Sequence, residues 1–229
     1  MSLSHQISSA VDRLCHKRER RKDARPGELL AAALELFVEK GYAATRVDEV
    51  ARRAGVSKGT LFLYFSTKEE LFKAVVRENL AGRFPEWEAE LAAWHGNSAD
   101  LLSYAMHSWW QRVGATKAAG ISRLMMSEAG NFPELATFYQ REVIAPGHEL
   151  VRRILQRGID QGEFHDMDIK HGIYVVLAPM IFLMTWNQSM GPCLDSKQNL
   201  EPEKYLALQI EIILRGLCIQ PVGNLPTTS

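Results

Sequence analysis

Cysteine is scarce in this chain. Cys15, Cys193 and Cys218 are odd in number and widely separated, so neither a disulfide framework nor a zinc site by spacing is expected, and the thiols read as buried or incidental. Also missing is an apolar run of the ~18 residues that would suggest a membrane span. The stretch from Ile173 to Trp186 comes closest and reads as a buried helix. No apolar segment follows the polar start, so a secretory leader is not expected and a cytoplasmic location is. There is no alternating strand pattern and no internal repeat. No nucleophile–base pair, phosphate-cradling glycine loop or metal-ligand spacing is found, which argues against an enzyme and leaves no cofactor or metal to expect. Glu163, His165, Asp166 and Asp168 fall close together but read as a solvated loop.

What is present is a soluble globular composition, 46% hydrophobic and 24% charged over 229 residues. The net charge of zero hides an asymmetry. Residues 1–68 carry thirteen Lys/Arg against eight Asp/Glu, and the remainder carries fourteen against nineteen. A basic N-terminal third on an acidic body is expected when one end meets phosphate and the other does not. Residues 1–25 form a polar lead-in ending in a basic run, read either as a solvated tail or as an arm that adds DNA contacts.

From Pro26 onward the periodicity is helical, and the chain is expected to be all-α. Leu30, Ala33, Leu34, Phe37 and Val38 form one stripe, which Gly41 ends. Thr45 with Asp48 forms a capping-box-like start to a second helix, which Gly55 ends; Ser57 caps a third, brief helix reaching about Tyr64. Ser66 with Glu69 forms a second box opening a fourth helix. Further helices are expected over Pro85–Trp94, Ser98–Val113, Lys117–Ala129, Pro133 to about Gln161 with a bend near Pro146, Asp168–Gln188 and Pro202–Leu217.

Two short helices joined by a glycine turn, the second presenting small polar residues, make a helix-turn-helix. The N-terminal end of its second helix must enter a major groove while the first helix braces on the backbone. Ser57, Lys58, Gly59 and Thr60 occupy that end: a charge, a hydroxyl with a methyl, and a glycine permitting close approach. Thr45 and Arg46 at the start of the preceding helix face phosphate, and Tyr64 and Lys68 lie toward its far flank.

The stretch from Leu30 to Phe72 carries Gly41-Tyr42-Ala43-Ala44-Thr45, Val50-Ala51-Arg52-Arg53-Ala54-Gly55-Val56-Ser57-Lys58-Gly59-Thr60-Leu61 and Tyr64-Phe65-Ser66-Thr67-Lys68-Glu69-Glu70-Leu71. It strongly resembles the TetR/AcrR family of repressors. The resemblance implies a DNA-reading helix over Ser57–Tyr64, with phosphate contacts at Thr45, Tyr64 and Lys68. Phe62 and Leu63 depart from it, standing where the family often has tyrosine and a polar ring; the departure implies either weaker phosphate contacts or readout shifted toward apolar contact with thymine methyl groups.

The expected organisation is a basic arm over 1–25, a helix-turn-helix domain over 26–72 and a helical effector-binding and dimerisation domain over 73–229. Met106, Trp109, Trp110, Met125, Met126, Phe132, Tyr139, Phe182 and Trp186 are the candidates for an adaptable apolar pocket. His107 and His171 read as partly exposed helix histidines. The last two helices carry Ile169, Ile173, Val176, Leu206, Ile210, Ile213 and Leu214, more apolar groups than one inward stripe accommodates, so they are expected to pair with a second copy. A two-fold homodimer then demands a palindromic double-stranded operator. A small-molecule effector favouring the wrong spacing of the reading helices would release it, with the fourth helix carrying the shift. Two other readings stay open: a ligand-binding helical protein with a degenerate reading head, and an activator.

Overall fold

The computed structural model describes residues 26–195 and 199–219. The basic arm expected over 1–25 lies outside them. Among the described residues the chain is helical throughout, save an isolated antiparallel bridge between Phe164 and Cys218. It divides into two compact units between Val75 and Val76.

The first unit holds α1 over 26–44, α2 over Val47–Arg53, α3 over Lys58–Phe62 and the start of α4, which runs over Lys68–Asn79. The stripe on α1 is inward as expected, with Ala33 and Phe37 fully buried. Phe37, Tyr42 and Phe72 form the centre. Phe72 meets Phe37 edge-on at 5.1 Å and Tyr42 at 5.3 Å, geometries that place ring edges on ring faces. Gly41 has φ of 82° and Gly55 φ of 67°. Both turns need the left-handed region that side-chain-bearing residues resist.

The second unit contains α5 over Phe84–Ala92, α6 over Ser98–Trp109, α7 over Ala119–Glu128, α8 over Pro133–Tyr139, α9 over Ala145–Asp160, α10 over Ile169–Gln188 and α11 over Pro202–Leu217. A π turn over Trp110–Gly114 extends α6, and a second over Gln140–Ile144 joins α8 to α9. The bend expected near Pro146 is this second turn. Proline has no N–H and its ring crowds the carbonyl four residues back; the chain absorbs both in a widened turn and restarts with Pro146 in the first turn of α9. Beyond α9, Gly162 at φ 69° reverses the chain, and His165 N–H donates to Leu217 O at 2.8 Å, pinning this corner to the end of α11.

α10 differs from its expectation as a buried helix. Ile173, Val176, Met180, Leu183 and Met184 are buried, but Tyr174, Val175 and Phe182 are exposed. The helix is apolar on two faces, and periodicity cannot say which the fold covers. The residues expected to project outward also change. Ile173, Val176, Leu206, Ile210 and Leu214 belong to the internal core, with Ile169 and Ile213 packed against it. The surplus sits on Val175, 64% exposed, with Leu208 at 56% and Ile212 at 61%.

Candidate nucleic-acid interface and ligand cavity

In the first unit Ser57 caps α3 as expected. Its Oγ accepts from Thr60 N–H at 3.0 Å and lies 2.9 Å from Thr60 Oγ1. The cap fixes Lys58, Gly59 and Thr60 on the first turn, where free N–H groups and the positive helix end point outward. Space beside Gly59 is open apart from Ser57 Oγ. The Lys58 ammonium sits 5.8 Å from the centre of the Phe62 ring, and Leu63 is 84% exposed. Arg46, largely exposed, precedes α2 and lends its Nε to Asp48 at 3.2 Å.

Two residues of the expected phosphate flank serve the fold. Thr45 is 2% exposed, and its hydroxyl donates back to Gly41 O at 2.7 Å and Leu36 O at 3.1 Å. It therefore satisfies carbonyls at the end of α1; Arg46 holds the cap position of α2, with no side-chain cap bond. The Lys68 ammonium donates to Tyr42 O at 2.9 Å and to Ala43 O and Thr45 O at 3.2 Å, and lies 4.4 Å from the Tyr42 ring centre. A cation at the negative end of α1 is favourably placed. The box opening α4 is one residue later than expected. Thr67 Oγ1 accepts from Glu70 N–H at 3.1 Å, Glu70 reaches back to Ser66 N–H at 2.9 Å, and Glu69 pairs with Lys73.

The second unit holds a half-open cavity of about 770 Å³ between α5, α6, α7, α8, α9 and α10, within the ~300–1,000 Å³ usual for small-molecule sites. Five of the nine candidate pocket residues line it: Met106, Trp109, Met126, Tyr139 and Phe182. Four do not. Trp110 turns into the core, 2% exposed, its indole N–H donating to Glu203 at 3.2 Å. Met125 is buried on the inner face of α7, Phe132 holds the cap position of α8, and Trp186 is tied by its indole N–H to Asn199 Oδ1 at 3.0 Å. Helical phase separates Trp110, Met125 and Trp186 from Trp109, Met126 and Thr185, their neighbours on the cavity wall.

Sequence reasoning missed His148, Trp87, Ser108 and Thr185, all on the wall. A signal existed for Thr185, a lone hydroxyl inside the apolar run Met180–Trp186. His148 meets Tyr174 edge-on at 5.1 Å, and burial holds its pKa below the ordinary value, favouring the neutral ring. Burial pushes Tyr139 up to about 12, against the hydrogen bond to Ser122 at 2.8 Å. The histidines noted from sequence lie elsewhere: His107 Nδ1 is 2.9 Å from Ser103 O, and His171 pairs with Asp168 at 2.7 Å in the first turn of α10. Glu163, of the loop cluster, accepts from Ser98 N–H at 2.6 Å.

Comparison with known proteins bears on both units. Residues 29–75 match the model of bacterial regulatory proteins of the tetR family, and residues 97–190 match a tetracyclin repressor-like C-terminal domain. This chain belongs to the TetR family. A relative, the HTH-type transcriptional activator FasR of Mycolicibacterium smegmatis, is 51% identical over 59 residues, 26% of this chain and 27% of FasR. The chain thus spans about a quarter of that relative. The fatty acid metabolism regulator of Bacillus subtilis is 24% identical over 83% of this chain and 94% of its own. Among solved structures, FadR from Bacillus subtilis in complex with stearoyl-CoA shares the TetR-family fold, with TM-score 0.69 and 20% identity over 82% of this chain and 97% of FadR.

Proposed function

We propose that this TetR-family chain is a homodimeric transcriptional regulator, working in the cytoplasm, that grips a palindromic operator through α3 and releases it when an apolar effector fills the cavity. The observation that carries the reading is the pairing, in one chain, of a Ser57-capped reading helix with a large apolar cavity in a separate unit. Lys58, Gly59, Thr60 and Phe62 contact the groove. Arg46, Ser57 and Tyr64 flank it toward phosphate, whereas Thr45 and Lys68 act indirectly by holding the end of α1. The relatives are regulators, which supports binding rather than catalysis as the activity.

The effector is a molecule with a long apolar part, an acyl chain being the leading class. The breadth of apolar wall supports this, as does the stearoyl-CoA bound to a protein of the same fold. Pairing of two copies rests on the exposed apolar residues of α10 and α11, Val175, Leu208 and Ile212, which water would otherwise meet. Activation is the second reading of the regulatory sign, favoured by the identity shared with an activator.

Selection of bound duplexes from a random library at two salt concentrations tests the reading. An enriched palindrome whose affinity falls steeply with salt is expected, because several phosphates are neutralised. No enrichment, in the absence of effector, would remove DNA reading from the proposal.

A further inference from the structure

Among the described residues of the first unit, large apolar side chains stand exposed at two positions, Phe62 at 41% and Leu63 at 84%. Both fall on the reading helix. Each residue of a helix advances the chain by about 100°, so Leu63 lies nearly opposite Leu61, which is fully buried and anchors α3 to the core. The turn stays helical as far as Leu63, whose N–H donates to Gly59 O at 3.3 Å and whose φ and ψ are −70° and −23°. Gly59 and Leu63 therefore share the outward face, four residues apart. A side chain at Gly59 would meet only Ser57 Oγ, at 3.7 Å. A partner can come close to this face, and Leu63 is what it then meets.

The setting of the face points to DNA as that partner. Lys58 stands beside it with its ammonium over the Phe62 ring, and residues 1–68 carry thirteen Lys/Arg against eight Asp/Glu. Against a phosphate, leucine would strip hydration and supply no donor in return. In the major groove the base edges show donors and acceptors, with one apolar group among them, the C5 methyl of thymine. Cytosine has an amino donor there and no methyl, and leucine cannot accept from it. A leucine carried into the groove thus gains from thymine and loses against the other three edges.

Resting on the reading helix proposed above, we infer that Leu63 is a specificity-determining residue. It packs against the C5 methyl of one thymine in each operator half-site and selects that base over cytosine. Of the two consequences open to a leucine at this position, weaker phosphate contact and apolar readout, the second holds.

The duplex selected from the random library tests this when its thymines are replaced, one position at a time, by deoxyuridine, which keeps the base pair and removes only the methyl. At one thymine in each half-site the exchange is expected to weaken binding of the full-length protein roughly fourfold per half-site, the value of one buried methyl. Leu63→Ala should bind the thymine and uracil duplexes alike, with the slope of log affinity against log salt unchanged because no phosphate contact is lost. Leu63→Met should keep the preference for thymine. Uracil tolerated at every position would overturn the inference, as would half-sites without thymine or a thymine preference that survives Leu63→Ala in full. Leu63→Ala binding the thymine duplex as tightly as the unaltered protein would overturn it too, and would leave the leucine to a protein partner. Enrichment of no duplex at all would instead remove the reading head and the inference with it.

Discussion

Arg77 in α4 grips Glu142 in the second π turn fork-to-fork, Nε to Oε2 at 2.7 Å and Nη2 to Oε1 at 2.6 Å. Hydrogen bonding from Arg77 holds the Glu142 carboxyl at a pKa of about 2. A carboxylate whose pKa is lower in the folded state than in the unfolded chain stabilises the fold above its unfolded value and loses that contribution as pH falls toward its folded one. Wild type should therefore lose, between about pH 4.5 and 2, a stabilisation of about 1 kcal/mol that Glu142→Gln lacks at every pH, Arg77 being half exposed and the pair partly screened. Urea melts of both proteins across that range would show their stability curves converging at low pH; parallel curves would deny the pair this role.

Lys68 and Lys58 should separate cleanly. Lys68→Met removes three contacts to carbonyls and should cost the first unit ~1–2 kcal/mol, with the slope of log affinity against log salt unchanged. Lys58→Met should leave the melt alone and lower that slope by about one. Operator titrations at four salt concentrations beside thermal melts distinguish the two, and a reduced slope for the Lys68 variant would return it to the phosphate flank.

Thr45→Val keeps the shape of the side chain and deletes the hydroxyl that serves Gly41 and Leu36 carbonyls. Burial leaves those acceptors without water, so a loss of ~1–2 kcal/mol in unfolding free energy is expected. Chemical denaturation showing no loss would mean the hydroxyl contributes nothing to the end of α1.

At Gly158 two effects oppose. Alanine would favour the helix by ~1 kcal/mol, but its Cβ would collide with the Phe164 ring. Phe164 is 1% exposed and its backbone is bridged to Cys218, so the ring has nowhere to go and overpacking of ~1–3 kcal/mol should win. A melting temperature at or above wild type for Gly158→Ala would show that the corner yields.

Val175→Glu with Ile212→Glu places charge on the outward apolar residues of α10 and α11. Sedimentation should show a dimer become a monomer, while the core residues Ile173 and Leu206 stay untouched by the change. A dimer persisting in the double variant would move the pairing surface elsewhere.

Helix positions were legible because apolar spacing and end signals agree along most of the chain. Pro202, Asp168 and Ser57 mark starts that the structure keeps. What escaped were matters of direction. Thr45 looked like a cap for the helix after it, yet its hydroxyl serves the helix before it; a short polar side chain between two helices can face either. The outward apolar residues of α10 and α11 escaped for a similar reason, since helices apolar on two sides give no phase. The cavity was only half legible. Aromatic and methionine content announced large apolar groups, but whether Trp109 or Trp110 faced the space depended on neighbours far along the chain, and Ser108 beside them carried no mark at all.

The π turn over Gln140–Ile144 also acts as a setting of angle. Each residue of an α-helix advances the chain by about 100°, so removing one residue from this turn would hand every later position in α9 to its successor. Glu149 would then stand where His148 now faces the cavity, and Arg152 where Val151 does. One missing residue in this turn would line a greasy chamber with opposite charges.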